Sequence, residues 1–137
     1  MIRKLKKEEI KYVAENYENA MSINFKEIGE QPISKEKYEK ILKKNFKNSF
    51  MYVIDDNGIK AFLWFIKDGD EINLEEIFSI EKTKGYGKKL MEFVFDFARK
   101  KGIKRINADI HSKNEMALRF IKKFGFTERT IELSFDI

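Results

Sequence analysis

A single mixed α/β domain, with helices packed against both faces of a mostly antiparallel sheet, is the fold class this sequence predicts. Three observations carry that expectation. The chain has 137 residues, the size of one ordinary domain, and no Pro/Gly/Ser-rich linker, repeat or low-complexity tract divides it. Hydrophobic residues make up 42%, with 13 Phe, enough apolar surface for a real core and against intrinsic disorder. The apolar period also switches between helix-like and strand-like spacing along the chain, in the order β-α-α-β-β-β-α-β-α-β.

Each element follows from its own pattern. Ile2 to Leu5 reads as a short strand, and Ile10, Val13, Ala14 and Tyr17 recur at helical intervals after it. Asn19 to Pro32 shows no sustained period and reads as a loop. Ser34 is an N-cap for a helix that buries Tyr38, Ile41, Leu42 and Phe46. Phe50 to Ile54 and Ile59 to Ile66 are β-rich runs joined by Asp55-Asp56-Asn57-Gly58, a hairpin signal. Asp68-Gly69-Asp70 is the next turn, and Ile72, Leu74 and Ile77 to Ile80 mark a third strand of an antiparallel meander. After Gly85-Tyr86-Gly87, Leu90, Phe93, Val94, Phe97 and Ala98 define a helix that stops near Lys101-Gly102. Ile103 to Ile110 is a strand. Asn114 caps a helix carrying Ala117, Leu118, Ile121 and Phe124 up to Gly125, and Phe126 to Phe135 is expected as a last strand. Phe93, Phe95, Phe97, Phe120 and Phe124 stand at helical spacing and are expected in the core.

Composition excludes much chemistry. With no Cys and one His, His111, the chain has no disulfide framework, thiolate metal site or cysteine nucleophile, and no multi-histidine metal centre. No apolar run reaches the roughly 18 to 20 residues of a membrane span, and Met1-Ile2-Arg3-Lys4 does not open a signal peptide. A cytoplasmic protein without membrane contact is expected. The net charge of +5 comes from lysines scattered along the chain. It suits an anionic ligand, while no nucleic-acid motif or basic-aromatic constellation accompanies it.

The chemistry concentrates in Ile77 to Leu90: a strand, a basic turn, two glycines and a helix start. Such a turn aims backbone N–H groups at one spot. The helix terminus adds the equivalent of about half a positive charge, and Gly85 and Gly87 let an anion approach the backbone. Lys82, Lys84, Lys88 and Lys89 surround the spot. A pyrophosphate fits this description. The segment is not a Walker loop, because neither the upstream glycine nor the hydroxyl residue after the lysine is present. As a dinucleotide fingerprint it matches only in part, with Leu90 in place of the third glycine and Asp109 about 22 residues beyond Gly87.

Lys84-Gly85-Tyr86-Gly87-Lys88-Lys89-Leu90-Met91, followed one strand later by Asn114-Glu115-Met116-Ala117 and, at the helix end, Phe124-Gly125-Phe126, resembles the paired signatures of the GNAT acetyltransferases. The first is similar to that family's Arg/Gln-x-x-Gly-x-Gly/Ala loop, with Lys82 in the basic or amide place. The second is similar to its Asn-x-x-Ala helix ending in Gly-Phe. The resemblance covers residues 70 to 135 in motif detail and implies the family's fold over residues 1–137, with a central strand pair that splays beside the glycine loop. It implies acetyl-CoA as cosubstrate, no metal, and an amine-bearing acceptor: a small amine, a peptide N-terminus or a lysine.

By the same resemblance the pyrophosphate lies on the backbone of Lys82, Thr83, Lys84, Gly85, Tyr86, Gly87 and Lys88, and Asn114 contacts the cofactor arm. The strand segment that holds the arm is Ile77-Phe78-Ser79 by apolar pattern, or Glu75-Glu76-Ile77 by an ungapped count. Direct transfer requires a base for the attacking ammonium. Glu76 and Asp109 are the leading candidates, with Glu75 and His111 beside them. Seven positions after Asn114 the family often carries a proton-donating Tyr, and here the residue is Ile121. That departure leaves a second reading, a CoA-binding regulatory module with little catalysis. Both monomers and homodimers are compatible with the family.

Overall fold

The computed structural model describes residues 1–82 and 84–137. Five strands form one sheet in chain order, β1 (Ile2–Lys4), β2 (Phe50–Asp55), β3 (Ile59–Asp68), β4 (Glu71–Ser79) and β5 (Arg105–Ala108). The first four pair antiparallel and β4 pairs parallel with β5. The meander and the mixed sheet are therefore as the sequence predicts.

Alternation along the strands builds two cores. Met51 and Val53 of β2, with Phe62 and Trp64 of β3, face α1 (Ile10–Ile28) and α2 (Lys35–Asn45). Their neighbours Tyr52, Ile54, Leu63 and Phe65 face α3 (Tyr86–Lys100) on the other side. Phe62 and Phe65 are wholly buried on opposite faces, each contributing about 1.5–3 kcal/mol of hydrophobic stabilisation. Period two in the strands and period 3.6 in the helices decide this layering.

The region from Asn19 to Pro32 differs from expectation. Most of it is helical, since α1 runs 19 residues to Ile28 and ends where Gly29 takes the left-handed conformation at φ 73°. Tyr17, Ala20, Met21, Phe25 and Ile28 continue a helical spacing that the interleaved Asn, Ser and Lys residues obscure. The long helix places Met21 and Asn24 over the open end of the sheet.

The last strand is also absent. α4 (Glu115–Lys122) ends in a turn at Gly125, and Phe126 to Phe135 forms no strand. Ile131, Leu133 and Phe135 are more than 80% exposed. A strand exists only through pairing with a neighbour, and within one copy of the chain this segment has none. Phe95 and Phe124 depart from the expected core too. Their rings, with that of Phe126, pack on the outer side of α3, whereas Phe93 and Phe97 join the sheet-facing cluster.

Candidate active site

The parallel pairing of β4 with β5 stops at Leu74 and Ala108. At that point β4 carries a bulge: Trp64 pairs with Glu76 and Phe65 with Leu74, which leaves Glu75 as the extra residue. A bulge bends its strand and re-aims the side chains beside it. From Glu75 to Ser79 the strand has lost its neighbour on the β5 side. The expected splay is present, and it opens a cavity of about 170 Å³ among Met21, Asn24, Glu75, Glu76, Asp109 and Ile121, with Ile77, His111 and Asn114 also on its wall.

Backbone direction decides which part of the freed strand faces this opening. The Ile80 N–H donates to the Lys60 carbonyl at 2.8 Å, so the pairs Phe78–Phe62 and Glu76–Trp64 in the same register exchange bonds with β3. Alternation then turns the backbone N–H and C=O of Ile77 and Ser79 to the open side. Phe78 itself is buried in the α1/α2 core.

The carboxylates are not equivalent. Glu76 lies under α2, where the Tyr38 hydroxyl donates to its Oε1 at 3.3 Å. Burial pushes the Glu76 carboxyl up to about 7, against the opposing pull of the Tyr38 hydrogen bond, with the Glu75 charge adding to the rise. Tyr38 is buried and stacks on Tyr17 at 3.8 Å between ring centroids. Its hydroxyl is held far above its usual range by burial and the Glu76 charge, so it stays a donor. Glu75 is exposed, and its carboxyl is raised by partial burial and then by Asp109. Asp109 stands exposed just past β5. His111 is exposed, with Nδ1 accepting from the Lys113 N–H at 3.1 Å.

At the other end of the splay α3 begins. Gly85 caps it at φ 72°, and among the described residues no atom beyond its chain neighbours lies within 4 Å of the position a Cβ would take. Among the described residues, open space thus lies beside the first turn, whose N–H groups have no partner within the helix, flanked by the exposed Lys84 and Lys88. Gly87 has a different reason to be glycine. A Cβ there would meet the Phe120 ring of α4 at 3.2 Å, so its bareness lets α4 close on α3. Tyr86 turns its ring into the α3 core and donates to Asp56 Oδ2 at 3.0 Å, which leaves only its backbone facing outward. Lys82 donates to the Ala20 carbonyl of α1 at 2.9 Å, and burial lowers its ammonium from its usual range. Thr83, assigned to the same loop, lies outside the described residues.

Asn114 is the N-cap of α4, its Oδ1 accepting from the Ala117 N–H at 3.2 Å and from Asn24 Nδ2 at 3.3 Å. Ile121 is buried and gives the cavity an aliphatic wall. Among the described residues no group of three or more His, Cys, Asp or Glu is arranged to hold a metal, and no helix is long and apolar enough to cross a membrane.

A strand that splays from its parallel neighbour beside a glycine-capped helix is the geometry the paired motifs imply. The model of the acetyltransferase (GNAT) family matches residues 13–126. The chain belongs to the GNAT acetyltransferase family. Membership makes it an acetyl-CoA-dependent acetyltransferase, and solved GNAT structures share its fold. The PaiA N-acetyltransferase from Thermoplasma acidophilum, in complex with coenzyme A, is 18% identical with a TM-score of 0.77, covering 96% of this chain and 92% of its own. The ribosomal-protein-S18-alanine N-acetyltransferase from Escherichia coli is 21% identical with a TM-score of 0.73, covering 95% and 79%. An N-acetyltransferase from Staphylococcus aureus Mu50 is 23% identical with a TM-score of 0.71, covering 92% and 82%. Among curated proteins nothing matches.

Three parts of this GNAT site were not legible in the sequence. Tyr38 reads there as a core residue of its helix, and its hydroxyl reaches Glu76 only because the tertiary fold brings the two together across 38 positions of sequence. Met21 and Asn24 enter through the longer α1, which the spacing of Tyr17, Ala20, Met21 and Phe25 could have revealed. Phe120 over Gly87 has no local signal at all.

Proposed function

We propose that residues 1–137 act as one cytoplasmic N-acetyltransferase that moves the acetyl group of acetyl-CoA directly to a primary amine, with Glu76 as the general base. The observation that carries this reading is the half-buried, Tyr38-bonded Glu76 carboxylate at the mouth of the β4–β5 splay. The site has what acetyl-CoA requires: open space and free N–H groups at the start of α3 for its phosphates, and unpaired backbone on β4 for its arm. The similarly folded PaiA protein, solved in complex with coenzyme A, supports binding of that cosubstrate.

In this mechanism Glu76 accepts the proton that an acceptor ammonium must lose, directly or through one water. A carboxyl poised near 7 is ionised in part at neutral pH and basic enough to take that proton. The freed nitrogen attacks the thioester carbonyl, a C–N bond forms, and the C–S bond breaks. The N–H groups of Ile77 and Ser79 face the region where negative charge develops on the carbonyl oxygen, and such preorganised donors stabilise it without a side chain. Ile121 donates no proton, so the thiolate leaves to solvent or through water. Glu75 and Asp109 draw a cationic acceptor to the cavity, while Asn114 serves both as N-cap and as a polar contact for the arm.

Titration of the full chain with acetyl-CoA by calorimetry, with NAD as the comparison ligand, tests the reading. Saturable binding of acetyl-CoA alone, followed by thiol release when a primary amine is added, is the expected result. A folded chain that does not bind would overturn it. Binding without thiol release across a panel of small amines, peptide N-termini and lysine peptides would favour the regulatory module, consistent with Ile121. Tyr38→Phe gives a finer check. Loss of its hydrogen bond removes a contact that favours the charged carboxylate, so the rise of kcat/KM with pH should move upward by about half a pH unit. A superimposable profile would detach Tyr38 from the ionising group.

A further inference from the structure

A polar side chain interrupts the inward stripe of α1. Tyr17, Met21, Asn24 and Ile28 stand at the spacing of one helix face. Asn is a poor residue inside a helix, because its amide competes for the backbone's own hydrogen bonds. Asn24 is nevertheless half-buried there, on the wall of the β4–β5 cavity beside Met21, and no step of the transfer uses it.

Its bonding partner gives it a role. The Asn114 Oδ1 accepts from the Ala117 N–H at 3.2 Å and from Asn24 Nδ2 at 3.3 Å. A backbone N–H only donates, so the Asn114 atom facing Ala117 is the oxygen, and this settles which end of the amide is nitrogen. With one bond to that oxygen, the amide plane can still swing about it. A second bond, arriving from another helix, fixes the plane, because a carbonyl oxygen accepts near the plane of its own substituents. Asn114 Nδ2 has no acceptor among the described residues. It is the donor that Asn114 has left to offer in the cavity that both asparagines line.

We propose that Asn24 is a positioning residue, which through Asn114 Oδ1 fixes the amide so that its NH2 group donates to a carbonyl of the pantetheine arm. The assignment rests on acetyl-CoA lying in the splay with its arm on Asn114. It joins α1 to α4 across 90 positions of sequence. Glu27, one turn further along α1, accepts the Glu115 N–H at 3.1 Å. That bond braces the same two helices through the backbone and not through the amide, so Glu27 separates bracing from orientation.

Calorimetry of the full chain with acetyl-CoA, and with 3′-phospho-ADP as a ligand that lacks the arm, tests the role. Asn24→Ala should weaken acetyl-CoA about fivefold, the effect of one lost neutral hydrogen bond, with 3′-phospho-ADP within about twofold. Its KM for acetyl-CoA should rise while kcat stays close to that of the wild type. Alanine favours the helix, so the cooperative melt should persist. Asn114→Asp keeps the capping oxygen but has no NH2 group, and should show the same selective loss. In that background Asn24→Ala should add less than about twofold, since both act through one amide. Glu27→Ala should leave acetyl-CoA affinity unchanged.

Equal losses in Asn24→Ala and Glu27→Ala would reduce the link to a brace and overturn the proposal. So would a loss that extends to 3′-phospho-ADP, or a KM that rises for the amine and not for acetyl-CoA. Wild-type binding in Asn114→Asp would take Asn114 off the arm and the proposal with it. Failure of the folded wild type to bind acetyl-CoA is a separate result, and it removes the cosubstrate reading itself together with the role of Asn24.

Discussion

Glu76→Gln is expected to lower turnover by about 100-fold or more, with acetyl-CoA affinity close to that of the wild type. Gln keeps the shape and still accepts the Tyr38 hydrogen bond, but it takes no proton. The wild-type rate should rise with pH through about 7, where the Glu76 carboxyl ionises, and that limb should be missing in the variant. Stability moves the other way. Folding raises this carboxyl from near 4.5 to about 7, so the fold favours the protonated form. Its contribution is complete below pH 4.5 and is lost as pH climbs through 7. The Gln variant should therefore melt at the same temperature as wild type near pH 5 and higher near pH 8, where removal of a half-buried charge is worth up to about 3 kcal/mol. Melting curves at the two pH values, with a pH–rate profile, check both halves. Equal turnover would pass the base role to Asp109, for which Asp109→Asn is the matching variant.

Gly85→Glu should reduce acetyl-CoA affinity by about 30-fold or more while the protein still folds. The side chain enters open space, since nothing lies within 4 Å of the Cβ position. A carboxylate there faces the N-terminus of α3 and would occupy the place of the anion, between Lys84 and Lys88. The left-handed φ of 72° adds a backbone cost of about 1 kcal/mol for any side chain. Gly85→Ala carries the same backbone cost without the charge, and its affinity should stay within about threefold of wild type. Calorimetric titration of both variants separates the two causes. Wild-type affinity in Gly85→Glu, with an intact melt, would move the phosphate site elsewhere.

Gly87 shows why the two glycines of one motif behave differently. Gly85 supplies a backbone conformation and an empty space, whereas Gly87 supplies room for Phe120. A motif read along the chain treats them alike, because a neighbour 33 positions away in sequence leaves no local trace. Tyr86 makes the same point. Its place in the loop suggests contact with the cofactor, yet its ring is buried and its hydroxyl bonds to the β2–β3 turn.

Taken alone, the sequence determined the types and order of the elements as far as α4, the hairpin at Asn57-Gly58 and the glycine-capped start of α3, because these follow from period, caps and turns within a few residues. It also carried the family motifs at Lys82 to Gly87 and at Asn114. Tertiary structure alone decided how the neighbouring carboxylates at the cavity differ. Glu75 and Glu76 are adjacent and chemically alike, and a one-residue bulge against β3 leaves the first exposed and sets the second beneath Tyr38. A single inserted residue redirects side chains without changing the local pattern. The same limit explains Phe126 to Phe135: its alternation states that it can be a strand, but only pairing with a neighbouring edge makes it one.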